Sequence, residues 1–457
     1  MKKSILQKIL AILARATIRK YKPKVIGITG SVGKTSAREA IFTVLKTKYS
    51  VRTSEKNYNN EIGLPLTILG ISHHGRNIFK WLSAVFDVLF GVFWRQNKYP
   101  EILVLEYGLD HPGDMDYLLS IAKPDIGVVT AIGEIPVHVE FFKSPEELRA
   151  EKAKLIHSLS PSGLAILNHD DYAVYDLKEK TKARVVTFGF SAEGGSSPRT
   201  DRRRAHASGR EEHAEMIKIS NYRLQVTKDI TVGDIPEGIS FKIEHKGNMV
   251  PFRLVSCFGE PHAYAAAVAA AVGIALEINL VEIAEAMRSF SSPRGRLRLL
   301  KGRQHSFILD DTYNAAPEAM RKALDTLQAL PGKRKIAVLG DMLEIGKYTE
   351  QVHRAIGNQA ANFVDLLITV GIRAKFIAEE ALAPVEGKRG LPKEQIISLP
   401  NSFAAGRFLY PLIKPGDLIL VKGSQSMRME RAVEEIMAEP ERAEKLLVRQ
   451  DKYWKNR

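Results

Sequence analysis

The run Lys24-Val25-Ile26-Gly27-Ile28-Thr29-Gly30-Ser31-Val32-Gly33-Lys34-Thr35 carries the most structural information in this chain of 457 residues. Its first half is short, apolar and rich in Val and Ile, which reads as a buried strand. Glycines at 30 and 33 then break the chain, and a helical pattern runs from Ser36 to Lys46. Strand, glycine turn and helix together form the setting a phosphate loop requires. Lacking Cβ atoms, the glycines let backbone amides approach phosphate oxygens, and the following helix adds its N-terminal dipole. Lys34 would reach the β- and γ-phosphates, and the Thr35 hydroxyl would sit on Mg²⁺. Thr29, Gly30, Ser31, Val32, Gly33, Lys34 and Thr35 are therefore the candidate nucleotide-binding residues. The general pattern has glycine where Ile28 stands, so this loop is a variant.

Outward from the loop, Ile102–Glu106, Ile126–Thr130 and Ala165–Asn168 read as further buried strands between helical segments. That alternation predicts an α/β fold: a phosphate-loop central domain with a parallel sheet. Alternating residues at Tyr222–Val226 and Ile239–Ile243 predict a small β extension. Residues 261–290 are alanine-rich and helical, and Ser, Pro and Gly cluster at 291–295 as a hinge. A second α/β unit follows, with strands at Lys335–Leu339, Leu366–Val370 and Asp417–Val421. The expected division is a basic helix over 1–24, a central domain over 25–290 and a C-terminal domain over 291–457, in keeping with the length.

Composition narrows the partners. A hydrophobic content of 45% with 26% charged residues excludes a wholly disordered chain. A single cysteine, Cys257, excludes a disulfide scaffold and an all-cysteine metal site, and fits a reducing compartment. The 67 Lys and Arg against 52 Asp and Glu give a net charge of +15, which suits anionic partners such as nucleotides or a membrane face. Residues 1–24 hold eight basic side chains and no acid, with Ile5, Leu6, Ile9, Leu10 and Leu13 at helical spacing. A lysine-led apolar run before Ala14-Arg15-Ala16 imitates a signal peptide, but Gln7 and Lys8 interrupt it. A helix lying on a membrane surface and a helix packed on the next domain are the other readings. Ile78–Trp94 is a second apolar stretch, shorter than the roughly 20 residues a membrane span needs. Its face must meet protein, a partner or a membrane interface. Residues 191–215 are rich in Gly, Ser and charge and read as a disordered loop. The run Arg202-Arg203-Arg204 within it lacks interleaved aromatic residues, so no nucleic-acid partner is expected.

The form Thr29-Gly30-Ser31-Val32-Gly33-Lys34-Thr35 resembles the loop of the Mur ligases, ATP-dependent enzymes that build the peptidoglycan stem peptide. The resemblance extends to Asn57-Tyr58-Asn59-Asn60-Glu61-Ile62-Gly63-Leu64-Pro65-Leu66-Thr67, Glu106-Tyr107-Gly108 and His111-Pro112-Gly113. It continues through Asp311-Thr312-Tyr313-Asn314-Ala315-Ala316-Pro317, Gly340-Asp341-Met342-Leu343-Glu344-Ile345-Gly346 and Lys422-Gly423-Ser424, in the family's order. The Asn59-Asn60-Glu61 segment is similar to that of the branch that joins D-alanyl-D-alanine to a UDP-muramoyl-tripeptide, which makes those three residues candidates for substrate binding. The resemblance implies an acyl phosphate formed from ATP and then attacked by an amine. Such chemistry needs positive charge and metal rather than a covalent nucleophile.

The resemblance also implies roles for single residues. Glu106, His138 and Lys152 would join Thr35 at two Mg²⁺ sites, Lys152 as a carbamate; Lys154 competes for that part. Arg296 would face the ATP phosphates with its planar fork, with Arg294 as its structural neighbour. Asp311, Tyr313 and Asn314 would meet the nucleotide, and the C-terminal domain would be dinucleotide-fold-like and close on the central one. Three departures stand out. Only about 24 residues precede the first strand where the family has a UDP-binding domain, so another surface or a partner protein is expected to hold that end. The family's His-Asn pair is Pro261-His262 here, with Ala265 for the later asparagine, leaving His262 as the candidate adenine contact. Ala316-Pro317 replaces Asn-Pro. The expected protein is a cytoplasmic ligase, working at the inner face of the membrane if 1–24 and 78–94 dock there. A related amide ligase with another acceptor, such as a polyglutamate ligase, and a nucleotide-binding subunit that needs a partner are the alternatives.

Overall fold

The computed structural model describes residues 3–54, 58–72, 99–191, 215–229, 233–382 and 390–455. Ile78–Trp94, Arg202–Arg204 and Asn57 lie outside the described residues, as does most of the 191–215 segment. Two sheets organise the rest. The first has nine strands in the order β2-β3-β1-β4-β5-β6-β7-β8-β9. These are β1 Lys24–Thr29, β2 Val51–Thr53, β3 Ile102–Glu106, β4 Ile126–Val129, β5 Leu164–Asn168, β6 Arg184–Phe190, β7 Glu215–Asp229, β8 Gly233–His245 and β9 Asn248–Val255. Pairing is parallel from β2 through β7 and antiparallel from β7 to β9. The expected β extension is thus a long meander that prolongs the first sheet.

β1 is an interior strand, third in the order, between β3 and β4, and is buried from Val25 to Thr29. One face is covered by α2 (Lys34–Leu45) and by a later helix, Glu260–Ala275. From Ala265 onward that later helix is Ala, Val and Gly apart from Ile274, and its small side chains let it lie closely against α2 and the sheet. Gly273 sits where any Cβ would press on Ile283. The other face is covered by the helix Pro145–His157, opened by Ser144, whose side chain accepts the Glu147 amide.

The second sheet has the order β10-β11-β15-β12-β13-β14. Its strands are β10 Arg298–Lys301, β11 Phe307–Asp311, β12 Arg334–Gly340, β13 Leu366–Val370, β14 Ile396–Leu399 and β15 Asp417–Lys422. All pair in parallel except the edge strand β10. Both sheets are therefore parallel-rich α/β units, as the strand and helix alternation predicts.

The basic N-terminal segment forms α1, Lys3–Tyr21. It packs on the first unit through Leu10, Ala11, Leu13, Ala14 and Thr17, and Gln7 donates to Glu61 at 3.0 Å. Its opposite stripe, with Ile5, Lys8, Ile12 and Arg19, is exposed. Among the described residues no helix is long and apolar enough to cross a membrane.

Candidate nucleotide and phosphoryl site

The loop after β1 is held in place by β4 and the residues after it. Ser31 and Val32 donate their amides to the Ala131 carbonyl at 2.6 and 3.2 Å, and Thr130 Oγ1 donates to the Val32 carbonyl at 2.6 Å. Gly30 has φ 142°, and a Cβ there would lie 2.2 Å from Thr130 Oγ1, so only glycine fits. Gly33, at φ 89°, precedes α2 and turns the chain into it. The first amides of α2 have no partner within the helix and face outward from its N-terminus.

Two lysines converge on this loop. Lys34 Nζ donates to the Gly30 carbonyl at 2.6 Å, and Lys152 Nζ, from the helix Pro145–His157, donates to the same carbonyl at 3.3 Å. Burial pushes both amines below the usual lysine range, Lys152 by far the more, and the nearby Lys34 charge pushes Lys152 further down. Lys154, the competitor, points away into ion pairs with Asp116 and Glu151 at 2.6 and 2.7 Å. Two buried amines on one carbonyl make a pocket that favours an anion.

Glu106 ends β3 beside the loop and is buried. Its Oε1 accepts no hydrogen bond; Arg38 Nη1 lies 3.1 Å away, within ion-pair reach but without hydrogen-bond alignment. Arg38 stands one turn after Lys34 on α2 and also holds Ser54 and Glu39. Sequence reading missed it; its i+4 spacing from Lys34 was the one available signal. The loop residue His138, at φ 72°, places Nδ1 2.9 Å from Glu344 of the second unit and Nε2 3.6 Å from Asp110. The contact with His138 holds the Glu344 carboxyl below its usual range. Among the described residues no three His, Cys, Asp or Glu side chains gather around one point. Thr35 and Glu106 are the residues that would hold a magnesium ion beside bound phosphates, the pattern Mg²⁺ favours, and the Glu106 oxygen without a hydrogen bond fits that part.

A cavity of about 350 Å³ extends from Val32 and Gly33 into the junction of the two units. Asn168 and Tyr264 line it on one side, Pro317, Glu318 and Gln359 on the other. Tyr264 donates its hydroxyl to Asp170 at 2.7 Å, which fixes the ring at the wall. The size and the adjoining loop suit a nucleoside.

Several of the candidate residues lie away from the lining of this cavity. His262 does not reach this cavity. It is buried, its Nδ1 bonded to the Phe258 carbonyl at 2.6 Å and its Nε2 to Ser292 at 3.0 Å, and Tyr264 takes the wall position instead. The Asp311 side chain turns inward, while the half-buried Asn314 accepts the Ala315 amide on its own side-chain oxygen. The Asp311 carboxylate neutralises the buried Lys422 at 2.6 Å, and Lys422 donates to the Asn314 carbonyl at 2.9 Å. Tyr313 instead carries the Arg296 guanidinium on its ring, 4.2 Å from the centroid, and so serves the arginine rather than the cavity. Asn60 Oδ1 accepts the amides of Ile62 and Gly63, so it caps the next helix. Glu61 faces α1 and Asn59 packs on Gly108, two residues beyond Glu106.

Arg296 fits better. Its positive charge lowers both Lys34 and Lys422, so it stands near the loop, and its Nε is buried with no partner. Arg294 turns away and donates to the Glu444 carbonyl at 2.9 Å.

Residues 89–231 match the Mur ligase middle domain, and residues 295–425 match the Mur ligase, glutamate ligase domain. The UDP-N-acetylmuramoyl-tripeptide–D-alanyl-D-alanine ligase of Bacillus subtilis is 28% identical over 434 residues, which covers 94% of this chain and 79% of that protein. The protein of the same name from Mycobacterium leprae is 29% identical, over 88% of this chain and 71% of its own. Among solved structures, the MurF ligase of Thermotoga maritima in complex with ADP superposes with a TM-score of 0.69 at 25% identity, covering 95% of this chain and 84% of that one. MurF from Acinetobacter baumannii gives 0.71 at 23% identity, over 93% and 79%, a likeness of fold.

Proposed function

Since the chain belongs to the Mur ligase family, we propose that it joins D-alanyl-D-alanine to a UDP-N-acetylmuramoyl-tripeptide at the expense of ATP. The tripeptide carboxylate attacks the γ-phosphorus, ADP departs and an acyl phosphate remains. The amine of the dipeptide then attacks the acyl carbon, phosphate leaves and the amine proton is lost. The observation that carries this reading is the pair of buried amines, Lys34 and Lys152, on the Gly30 carbonyl of a phosphate loop. Lys34 offsets charge on the transferring phosphoryl group, and Arg296 supports it from the second unit. Burial, and then the Lys34 charge, lower the Lys152 pKa and so favour the neutral amine, the form that adds CO₂ and releases a proton to become a carbamate. As a carbamate it would offer two oxygens beside Lys34. Mg²⁺, when bound, neutralises the phosphate charge, with Thr35 and Glu106 as its protein ligands and His138 as the candidate for a second ion. The same proposal includes a peripheral contact between α1 and an anionic membrane surface.

The test is an incubation with ATP, Mg²⁺, UDP-muramoyl-tripeptide and D-alanyl-D-alanine, read by product mass. A product heavier by the dipeptide less one water, with equimolar ADP, is expected. ADP release only with a different amine acceptor would move the chain to another amide ligase, and no turnover would overturn the reading.

A further inference from the structure

The C-terminal region holds a buried charge cluster that the proposed chemistry leaves unused. Glu430 is fully buried at the start of the helix Glu430–Ile436 and pairs with two arginines, Arg428 at 2.5 Å and Arg449 at 2.7 Å. The Trp454 ring lies near both guanidinium groups, at 5.3 and 5.8 Å, and Arg428 donates to the Trp454 carbonyl at 2.8 Å. Arg449 itself is held at φ 55°, a strained conformation for a non-glycine residue. A buried arginine–glutamate–arginine group is a poor source of stability, because desolvation offsets most of its attraction. Its geometry shows what it orients.

Arg449 reaches beyond Glu430. Its Nη1 also donates to the Thr312 carbonyl at 3.1 Å, and its Nη2 donates to the Tyr313 carbonyl. These two residues follow β11 directly, and the Tyr313 amide donates to Gly295 at 3.1 Å. The Tyr313 backbone is thus held from both sides, and its ring carries the Arg296 guanidinium, with the Arg449 guanidinium 5.5 Å from its centroid. A continuous chain of contacts runs from Glu430 through Arg449 and Tyr313 to Arg296 at the phosphate loop.

We propose that Arg449 is a positioning residue: it clamps the Thr312 and Tyr313 carbonyls and so aims Arg296 at the phosphates of the nucleotide. The inference rests on the phosphate role given to Arg296 above. Lysine at 449 would keep a charge for Glu430 but, as a point donor, would not span two carbonyls and a carboxylate together.

The test is a double-mutant cycle on the full chain with Arg449→Lys, Arg449→Ala, Arg296→Ala and the combination of Arg449→Lys with Arg296→Ala. Arg449→Ala is expected to melt lower, since it removes one of the two arginines that pair with the buried Glu430. Arg449→Lys is expected to melt close to wild type, yet to lower kcat/KM for ATP roughly tenfold to a hundredfold, the scale of a misplaced catalytic group. The KM for the dipeptide should stay unchanged. The combined variant should be no worse than Arg296→Ala alone, because both act through one guanidinium. Losses that multiply in the combined variant, or wild-type ATP parameters in Arg449→Lys, would overturn the assignment. The same cycle is run in parallel on ADP affinity by calorimetry. Should the wild type form no amide, the ligase reading fails on its own, and non-additive ADP affinities still carry the positioning role while additive ones end it.

Discussion

Lys152 is an amine kept in the wrong medium for its charge. It is buried beside a second cation, and its contact with the Gly30 carbonyl is long at 3.3 Å. Its folded pKa is depressed well below 10.5, chiefly by burial and then by Lys34. The unfolded chain therefore binds more protons between the folded pKa and 10.5, and stability rises with pH across that window. Below the folded pKa the penalty is fully present; above 10.5 it is gone. Lys152→Met removes the buried amine, and with it the cost of burying its charge or giving up its proton, while keeping the volume. In bicarbonate-free buffer at neutral pH we expect it to stabilise the protein by about 1–4 kcal/mol. The gain should shrink toward zero as pH approaches 10.5, and denaturant melts at several pH values read it directly. The same variant should be catalytically dead, with partial recovery from an added short carboxylate. A variant that is both less stable and fully active would show that Lys152 is an ordinary core lysine. Lys34→Ala is expected to retain the fold and lose turnover by about 10² or more, as befits removal of a group that meets developing charge; product formation near the wild-type rate would remove it from the mechanism.

The phosphate loop was legible from the sequence because everything that makes it is local: an apolar strand, two glycines and a helix within a few turns of chain. That Lys34, Glu106 and Lys152 lie beside the loop was legible for a related reason, since each stands in a recognisable run at the end or face of its own element. What the sequence hid are contacts between elements. Thr130 lies 100 residues after Gly30 in a different strand's exit, yet its hydroxyl sets the glycine requirement. The Glu344 partner of His138 and the Tyr264 wall of the cavity come from elsewhere in the chain, and no spacing rule links them. His262, the candidate adenine contact by resemblance to the family's His-Asn pair, has partners that the sequence also hid, the Phe258 carbonyl and Ser292. Asn60 shows that a motif can match and still serve as a helix cap. The loop and β4 make a prediction at this scale. Gly30→Ala places a methyl 2.2 Å from Thr130 Oγ1 and 3.0 Å from the Ala131 carbonyl, at a φ that disfavours any Cβ. The loop must shift away from Ala131, so ADP affinity measured by calorimetry should fall by at least about tenfold, with destabilisation of about 1–3 kcal/mol. Unchanged ADP affinity would mean the loop is not the phosphate cradle.

Across the whole molecule, charge and apolar surface are distributed unevenly. The +15 net charge is general, but α1 concentrates it: Lys8, Arg19 and Lys20 are exposed, with Lys22 and Lys24 just beyond the helix, and no acid lies among the first 24 residues. On the same stripe Ile5 and Ile12 are 47% and 58% exposed, while the opposite face is seated on the first unit by Leu10 and Leu13. The helix is therefore anchored to the folded body with a mixed cationic and apolar edge turned outward, a geometry that suits the interface of an anionic bilayer. Each cation near such a surface contributes about 1 kcal/mol, and inserted isoleucine side chains add the apolar part. Packing on the domain and docking on a membrane are then compatible, because they use opposite faces of one helix. Co-sedimentation with vesicles tests this. The full chain should pellet with anionic vesicles at low salt and not with neutral ones, and rising salt should release it as the charges are screened. Ile5→Glu combined with Ile12→Glu should remain folded, since neither residue is in the core, should keep its turnover in solution, and should stay in the supernatant. If the wild type remains in the supernatant at low salt with anionic vesicles, the exposed stripe of α1 has no membrane role.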